Sequence, residues 1–118
     1  MATNYRQPGE TITMTAPAGG IASGEGRMFG ALFGVAHFTA AEGDPVEVGV
    51  VGVWVLPKPN SVVTFAAGAR VFWDDSGKTC KASAAGYFPI GIAAVAAGAT
   101  DATVTVRLDG NSVVAVAA

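Results

Sequence analysis

Three short segments and two pairs of separate residues carry side-chain types that catalysis or ligand binding draws on. Ser76-Gly77-Lys78-Thr79 has the Gly-Lys-Thr ending of a phosphate-binding loop, in which backbone amides at the start of a helix are aimed at phosphate. That loop requires a glycine five residues before the second one, and here the position is Phe72. The following Cys80-Lys81-Ala82-Ser83, with Gly86 and Pro89 close behind, is a poor helix start. The segment reads as a hairpin turn. Gly24-x-Gly26 opens a dinucleotide fingerprint whose third glycine falls on Phe29, so these glycines read as residues of a loop that needs glycine dihedrals.

His37 and Cys80 are the only histidine and the only cysteine. A nucleophile and its base must be adjacent, with a third group orienting the ring, and the sequence leaves the distance between these two open. Both lie in apolar, strand-like stretches, which favours packing roles. Together they fall short of the three or four protein ligands that zinc takes, so neither a metal nor a cofactor is expected. Asp74-Asp75 could share a proton or a calcium ion, yet adjacent residues on a strand or turn point apart. The pair reads as a solvated turn. Trp54 and Trp73 could stack sugars on an open sheet face, but such aromatics in strand segments read first as core or subunit-interface anchors. No catalytic residue is assigned, and the chain is expected not to be an enzyme.

Composition points the same way. Charged residues make up 14% of the chain against about 25% in ordinary domains, and the 16 glycines are about twice the usual share. With 51% hydrophobic residues and a net charge of -2, the surface calls for partners that cover it. The seven Lys and Arg residues are scattered and outnumbered by acids, which leaves no basic footprint for nucleic acid. A lone cysteine provides no internal disulfide. The first eight residues contain no apolar core of a secretory signal, so synthesis in the cytoplasm is the expectation. Residues 82–100 run without a charge, but Pro89, Gly86, Gly91, Gly98 and Ser83 among alanines argue against a membrane span.

These residues must be positioned by strands. Residues 1–9 lack periodicity and end in Pro8-Gly9, and they read as an extended arm ahead of a single β domain over residues 10–118. Glu10-Thr11-Ile12-Thr13-Met14-Thr15 alternates as a half-buried strand does. Residues 16–26 form a loop. Residues 28–38 read as one bent or bulged strand, and residues 46–56, after the turn Ala41-Glu42-Gly43-Asp44-Pro45, as the strongest strand of the chain. Its alternation breaks at Val50-Val51, which predicts a switch of face near Gly52 through a bulge or a strand covered on both sides.

Residues 62–65 and 69–73 are predicted as short strands, the second pairing with residues 79–81 across Asp74-Asp75-Ser76-Gly77. Residues 90–95 fit a buried strand or, given the alanines through residue 99, a helical turn. Val104, Val106 and Leu108 alternate with Thr103, Thr105 and Arg107, and Asp109-Gly110-Asn111 predicts a terminal hairpin with residues 113–116. The sum is an all-β fold, a small compact barrel or sandwich of short antiparallel strands.

Several ordered segments carry a family likeness. Tyr5-Arg6-Gln7-Pro8-Gly9-Glu10-Thr11-Ile12, Ala16-Pro17-Ala18-Gly19-Gly20 and Leu32-Phe33-Gly34-Val35-Ala36 resemble the start of the capsid cement, or head decoration, proteins of tailed bacteriophages. Gly52-Val53-Trp54-Val55-Leu56-Pro57-Lys58, Gly68-Ala69-Arg70-Val71-Phe72-Trp73-Asp74 and Ile90-Gly91-Ile92-Ala93 continue it in the same order. The resemblance implies a structural virion protein that binds the major capsid protein on the outer surface of the head. It also implies a homotrimer and a role in stabilising the capsid, with no nucleic acid or membrane as partner. Tyr5, Arg6, Gln7 and Pro8 are the expected protein-binding residues of the arm, with Tyr and Arg types favoured at hot spots. The rival reading is a β-sandwich carbohydrate-binding module using Trp54 or Trp73.

Overall fold

The computed structural model describes residues 9–59 and 63–117. Among them there is no helix, and nine strands build two antiparallel sheets, as the period-two patterning predicts. The strands are β1 (Thr11–Thr15), β2 (Gly26–Phe29), β3 (Leu32–Ala36), β4 (Pro45–Gly49), β5 (Val51–Pro57), β6 (Arg70–Asp74), β7 (Thr79–Lys81), β8 (Phe88–Ala93) and β9 (Thr103–Asp109). The first sheet has the order β1-β4-β3-β2 and the second β5-β9-β8-β6-β7.

In the four-stranded sheet, register sorts the side chains by face. Ile12 lies opposite Val48, Met14 opposite Val46, and Ala36 opposite Val48 from the other side. These residues form a small cluster closed by Ala16, Ile21 and Ala40. Ile21 and Ala40 exchange two backbone hydrogen bonds of 2.9 Å, which lay the loop over the sheet. Val46 and Val48 are fully buried, each worth about 1.5–3 kcal/mol of apolar burial.

Two expectations change here. Residues 28–38 are a hairpin rather than one bent strand: β2 and β3 pair from Gly26 opposite Val35 to Phe29 opposite Leu32. Gly30, at φ +65°, makes the tight turn. Residues 46–56 are two strands in different sheets: β4 ends at Gly49 and β5 begins at Val51, with Gly52 just inside β5 at a φ of +104° that only glycine adopts readily. The broken alternation at Val50-Val51 was therefore the mark of a change of sheet.

The five-stranded sheet curls round a second cluster containing Leu56, Val71, Trp73, Cys80, Ile90, Ala93, Val104, Val106 and Leu108. The terminal hairpin is not formed. β9 lies between β5 and β8 and pairs with both, while residues 113–116 carry no strand. The three alternating apolar residues of β9 are best buried at a central position. Residues 113–116 are instead tied to other elements, Val113 N donating to Ala31 O and Val116 N to Tyr87 O, with Val114 left 80% exposed. Residues 90–93 belong to strand β8, which ends the choice between strand and helix there. Gly91 is required on β8 because a Cβ would run into the Arg107 carbonyl of β9. Val62 lies outside the described residues, and Phe65 makes an isolated bridge to Ala97 rather than a strand.

Each tryptophan of the five-stranded sheet meets a glycine of the other sheet. The Trp73 ring packs edge-on to Phe33 at 4.8 Å between centroids, over Gly26, where a Cβ would strike Phe33. A Cβ at Gly49 would overlap the Trp54 ring. Gly26 therefore serves packing, not the dihedral freedom expected of a loop residue.

Candidate interaction surface

The outward face of the five-stranded sheet is unlike the usual polar outside of a half-buried sheet. Pairing across β5, β9, β8 and β6 lines up Val53, Arg107, Ile92 and Arg70 in one row. Val53 is 60% exposed, Val55 beside it 64% and Ile92 39%. β-branched residues suit a strand and explain why the segment extends, but nothing in the described chain covers them. Arg70 and Arg107 are exposed, and among the described residues neither makes an ion pair or a side-chain hydrogen bond. Next to this row a cavity of about 310 Å³ is lined by Arg70, Pro89, Ile92, Asp109, Asn111 and Val113, among others.

Residues that could do chemistry are held elsewhere and apart. His37 is exposed and stands edge-on to Trp54 at 5.6 Å. Cys80 is fully buried opposite Trp73, and burial pushes its thiol up to about 12, so no thiolate forms near neutral pH. The fold does not bring the two together into a nucleophile and base. Among the described residues no group of three or more His, Cys, Asp and Glu is placed to hold a metal ion. No helix of the described chain is long and apolar enough to cross a membrane.

Asp75 to Lys78 make the turn of the β6–β7 hairpin, with Lys78 at a φ of 56° and Thr79 already in β7 opposite Asp74. The Asp74-Asp75 pair is not a solvated turn. Asp74 is buried and accepts hydrogen bonds from Lys81 Nζ at 2.9 Å, Ser76 Oγ at 2.9 Å and Gly77 N at 3.2 Å. Lys81 first, then the Gly77 amide and the Ser76 hydroxyl, outweigh burial and hold the Asp74 carboxyl down at about 2. The same contact, with Tyr87 as a second partner, raises Lys81. Asp75 turns the other way and accepts from Trp73 Nε1 and Met28 N. The two carboxylates point apart, as adjacent residues do, but each is committed to structure.

Of the two tryptophans, Trp73 is fully buried in the core. Trp54 is half-buried and donates from Nε1 to Val51 O at 3.0 Å. Tyr5, Arg6, Gln7 and Pro8 of the arm lie outside the described residues. Sequence reasoning missed Lys58, which is only 4% exposed and donates from Nζ to the carbonyls of Pro59 and Asp101 at 2.7 and 2.8 Å. It ties the end of β5 to the turn before β9, and no sequence signal distinguishes it from a surface lysine. The outward row of Arg70, Ile92, Arg107 and Val53 was also missed, although Val53 and Val55 flanking Trp54 were a signal that both faces of this strand are apolar.

Residues 6–108 match the model of a family described as phage cement protein. The match runs from before β1 to within one residue of the end of β9. No curated protein and no solved structure matches the chain.

Proposed function

This chain belongs to the phage cement protein family, and on that premise we propose that it is a homotrimeric decoration protein of the outer head surface. It binds the major capsid protein and holds neighbouring capsid subunits together. The mechanism is contact area and multivalency: a trimer that touches several subunits gains about 10²- to 10⁴-fold in avidity over a single contact. The match over residues 6–108 carries this reading, and the uncovered apolar and arginine-bearing sheet face gives it a surface to work with. Tyr5, Arg6, Gln7 and Pro8 are proposed to add an extended segment that docks on a neighbour through main-chain hydrogen bonds.

The carbohydrate-binding alternative draws no support from Trp73, which is wholly enclosed, or from Trp54, whose ring is engaged by Gly49 and His37. A catalytic role would need a different set of residues from His37 and Cys80. Cosedimentation with capsids lacking decoration tests the proposal. Saturable binding, followed by greater resistance of the heads to heat, is the expected result, and absence of binding to any such head would refute it.

A further inference from the structure

Charge is divided unevenly between the two sheets. Residues 10–49 contain Glu10, Glu25, Glu42, Asp44 and Glu47 against Arg27 alone, and Arg27 is spent on Glu25 at 2.9 Å. Residues 51–117 contain Lys58, Arg70, Lys78, Lys81 and Arg107 against Asp74, Asp75, Asp101 and Asp109. Of those acids, Asp74 is paired with Lys81, while Asp75, Asp101 and Asp109 accept hydrogen bonds from neutral N–H groups and keep their charge. What remains is a first half with a clear surplus of carboxylates and a nearly balanced second half in which Arg70 and Arg107, without an ion pair among the described residues, lie on an exposed apolar face.

We propose that the outward face of the five-stranded sheet is a head-to-tail contact between copies of this chain, with Arg70 and Arg107 of one copy binding Glu42 and Asp44 of the next. The inference rests on the cement reading only for the number of copies. Arginine is suited to such a contact because its planar fork binds a carboxylate through two hydrogen bonds and keeps its charge. Glu42 and Asp44 are both exposed, and Glu42 accepts the Gly19 amide at 3.0 Å through Oε1. Phe38, 45% exposed on the same connection between β3 and β4, gives Val53, Val55 and Ile92 an apolar counterpart. The cavity beside Arg70 has room for side chains from the incoming loop.

Symmetry favours the same arrangement. A two-fold contact of this face on itself would bring two arginine-bearing surfaces together, whereas the acidic loop offers the arginines carboxylates. A contact between different surfaces is heterologous, and repeated with a rotation that closes it makes a ring. Basic face on acidic loop is therefore a geometry compatible with a trimer.

The test is made in solution with the full chain and no capsids. Sedimentation velocity of the wild type should show association that weakens as ionic strength rises from about 0.1 to about 1 M, where the screening length falls from about 10 to about 3 Å. Arg70→Glu with Arg107→Glu should raise the dissociation constant about tenfold or more with an unchanged circular-dichroism spectrum. Adding Glu42→Arg and Asp44→Arg to the same chain should restore association. A monomeric wild type, a double variant that assembles as before, or no recovery in the fourfold variant would each overturn the inference. A double variant that still assembles but no longer binds capsids would show that this face meets the capsid, which defeats the inference and leaves the cement reading standing.

Discussion

Trp73 donates from its indole Nε1 to a carboxylate oxygen of Asp75 at 2.9 Å, and that same oxygen accepts the amide of Met28 at 3.0 Å. One turn residue thus satisfies the polar atom of the largest buried side chain and ties the five-stranded sheet to β2 of the other. Burial of the ring would be costly with its N–H unpaired, by about 1–3 kcal/mol.

Trp73→Ala is expected to lower stability by about 3–5 kcal/mol, since the ring is fully enclosed and packs on Phe33. Asp75→Ala leaves the indole and the Met28 amide without their acceptor and should cost about 1–3 kcal/mol. Urea unfolding of both variants measures this. If Asp75→Ala unfolded at the wild-type midpoint, the oxygen would not be the tie described.

Acid should weaken the β6–β7 turn through Asp74. Its carboxyl stands at about 2 in the folded protein against an ordinary 3.8, held down by Lys81. A depressed pKa gives stability that is fully present above the unfolded value and is lost as pH falls from 3.8 through about 2. The pair is partly open to water, so the contribution is on the order of 1–2 kcal/mol. The stability gap between wild type and Asp74→Asn, followed by urea unfolding, should therefore be constant above pH 5 and shrink below about pH 4. A gap independent of pH would assign the turn's stability to hydrogen bonds alone.

Legibility in the sequence followed how local the determining physics was. The β6–β7 hairpin was readable because Asp74-Asp75-Ser76-Gly77 is turn chemistry flanked by strand residues, and strand-type alternation gave β1 and β9. The partners of β9 were not readable: a two-residue polar signal at Gly110-Asn111 favours a hairpin locally, while burial of Val104, Val106 and Leu108 between β5 and β8 is a long-range term that wins. Val50-Val51 marked a break whose meaning, a change of sheet, depended on where Gly49 and Trp54 meet. Lys58 looked like any exposed lysine, because the carbonyls that hold it come partly from residues more than forty positions away.

Cys80 should behave as a core residue and His37 as a surface one. With its thiol raised to about 12 by burial, Cys80 is expected to react with a thiol reagent only as fast as the protein opens. Cys80→Ala should lose a little packing, and His37→Ala an edge contact with Trp54, with binding to capsids retained in both. Labelling kinetics and cosedimentation read the two outcomes. Rapid labelling of the folded protein, or loss of capsid binding by a folded variant, would contradict the assignment.

The arm supplies the last prediction. Residues 2–9 include Tyr5 and Arg6, types enriched at interface hot spots, in a stretch without the periodicity that packs a strand onto a core. The first described anchor of the chain to the sheet beyond this stretch is Glu10, whose carbonyl accepts Val50 N at 3.0 Å, directly before β1 pairs with β4. A deletion ending at Gly9 keeps that hydrogen bond and the whole β1–β4 register. It should therefore leave the urea midpoint close to wild type. If the arm docks on a neighbouring subunit as an added strand, the same deletion removes main-chain hydrogen bonds made only in the complex. Attachment to undecorated heads should then weaken about tenfold or more, which is about 1.4 kcal/mol. Binding isotherms of full-length and truncated protein on the same heads decide it. Equal affinities at equal stability would remove Tyr5, Arg6, Gln7 and Pro8 from the binding surface.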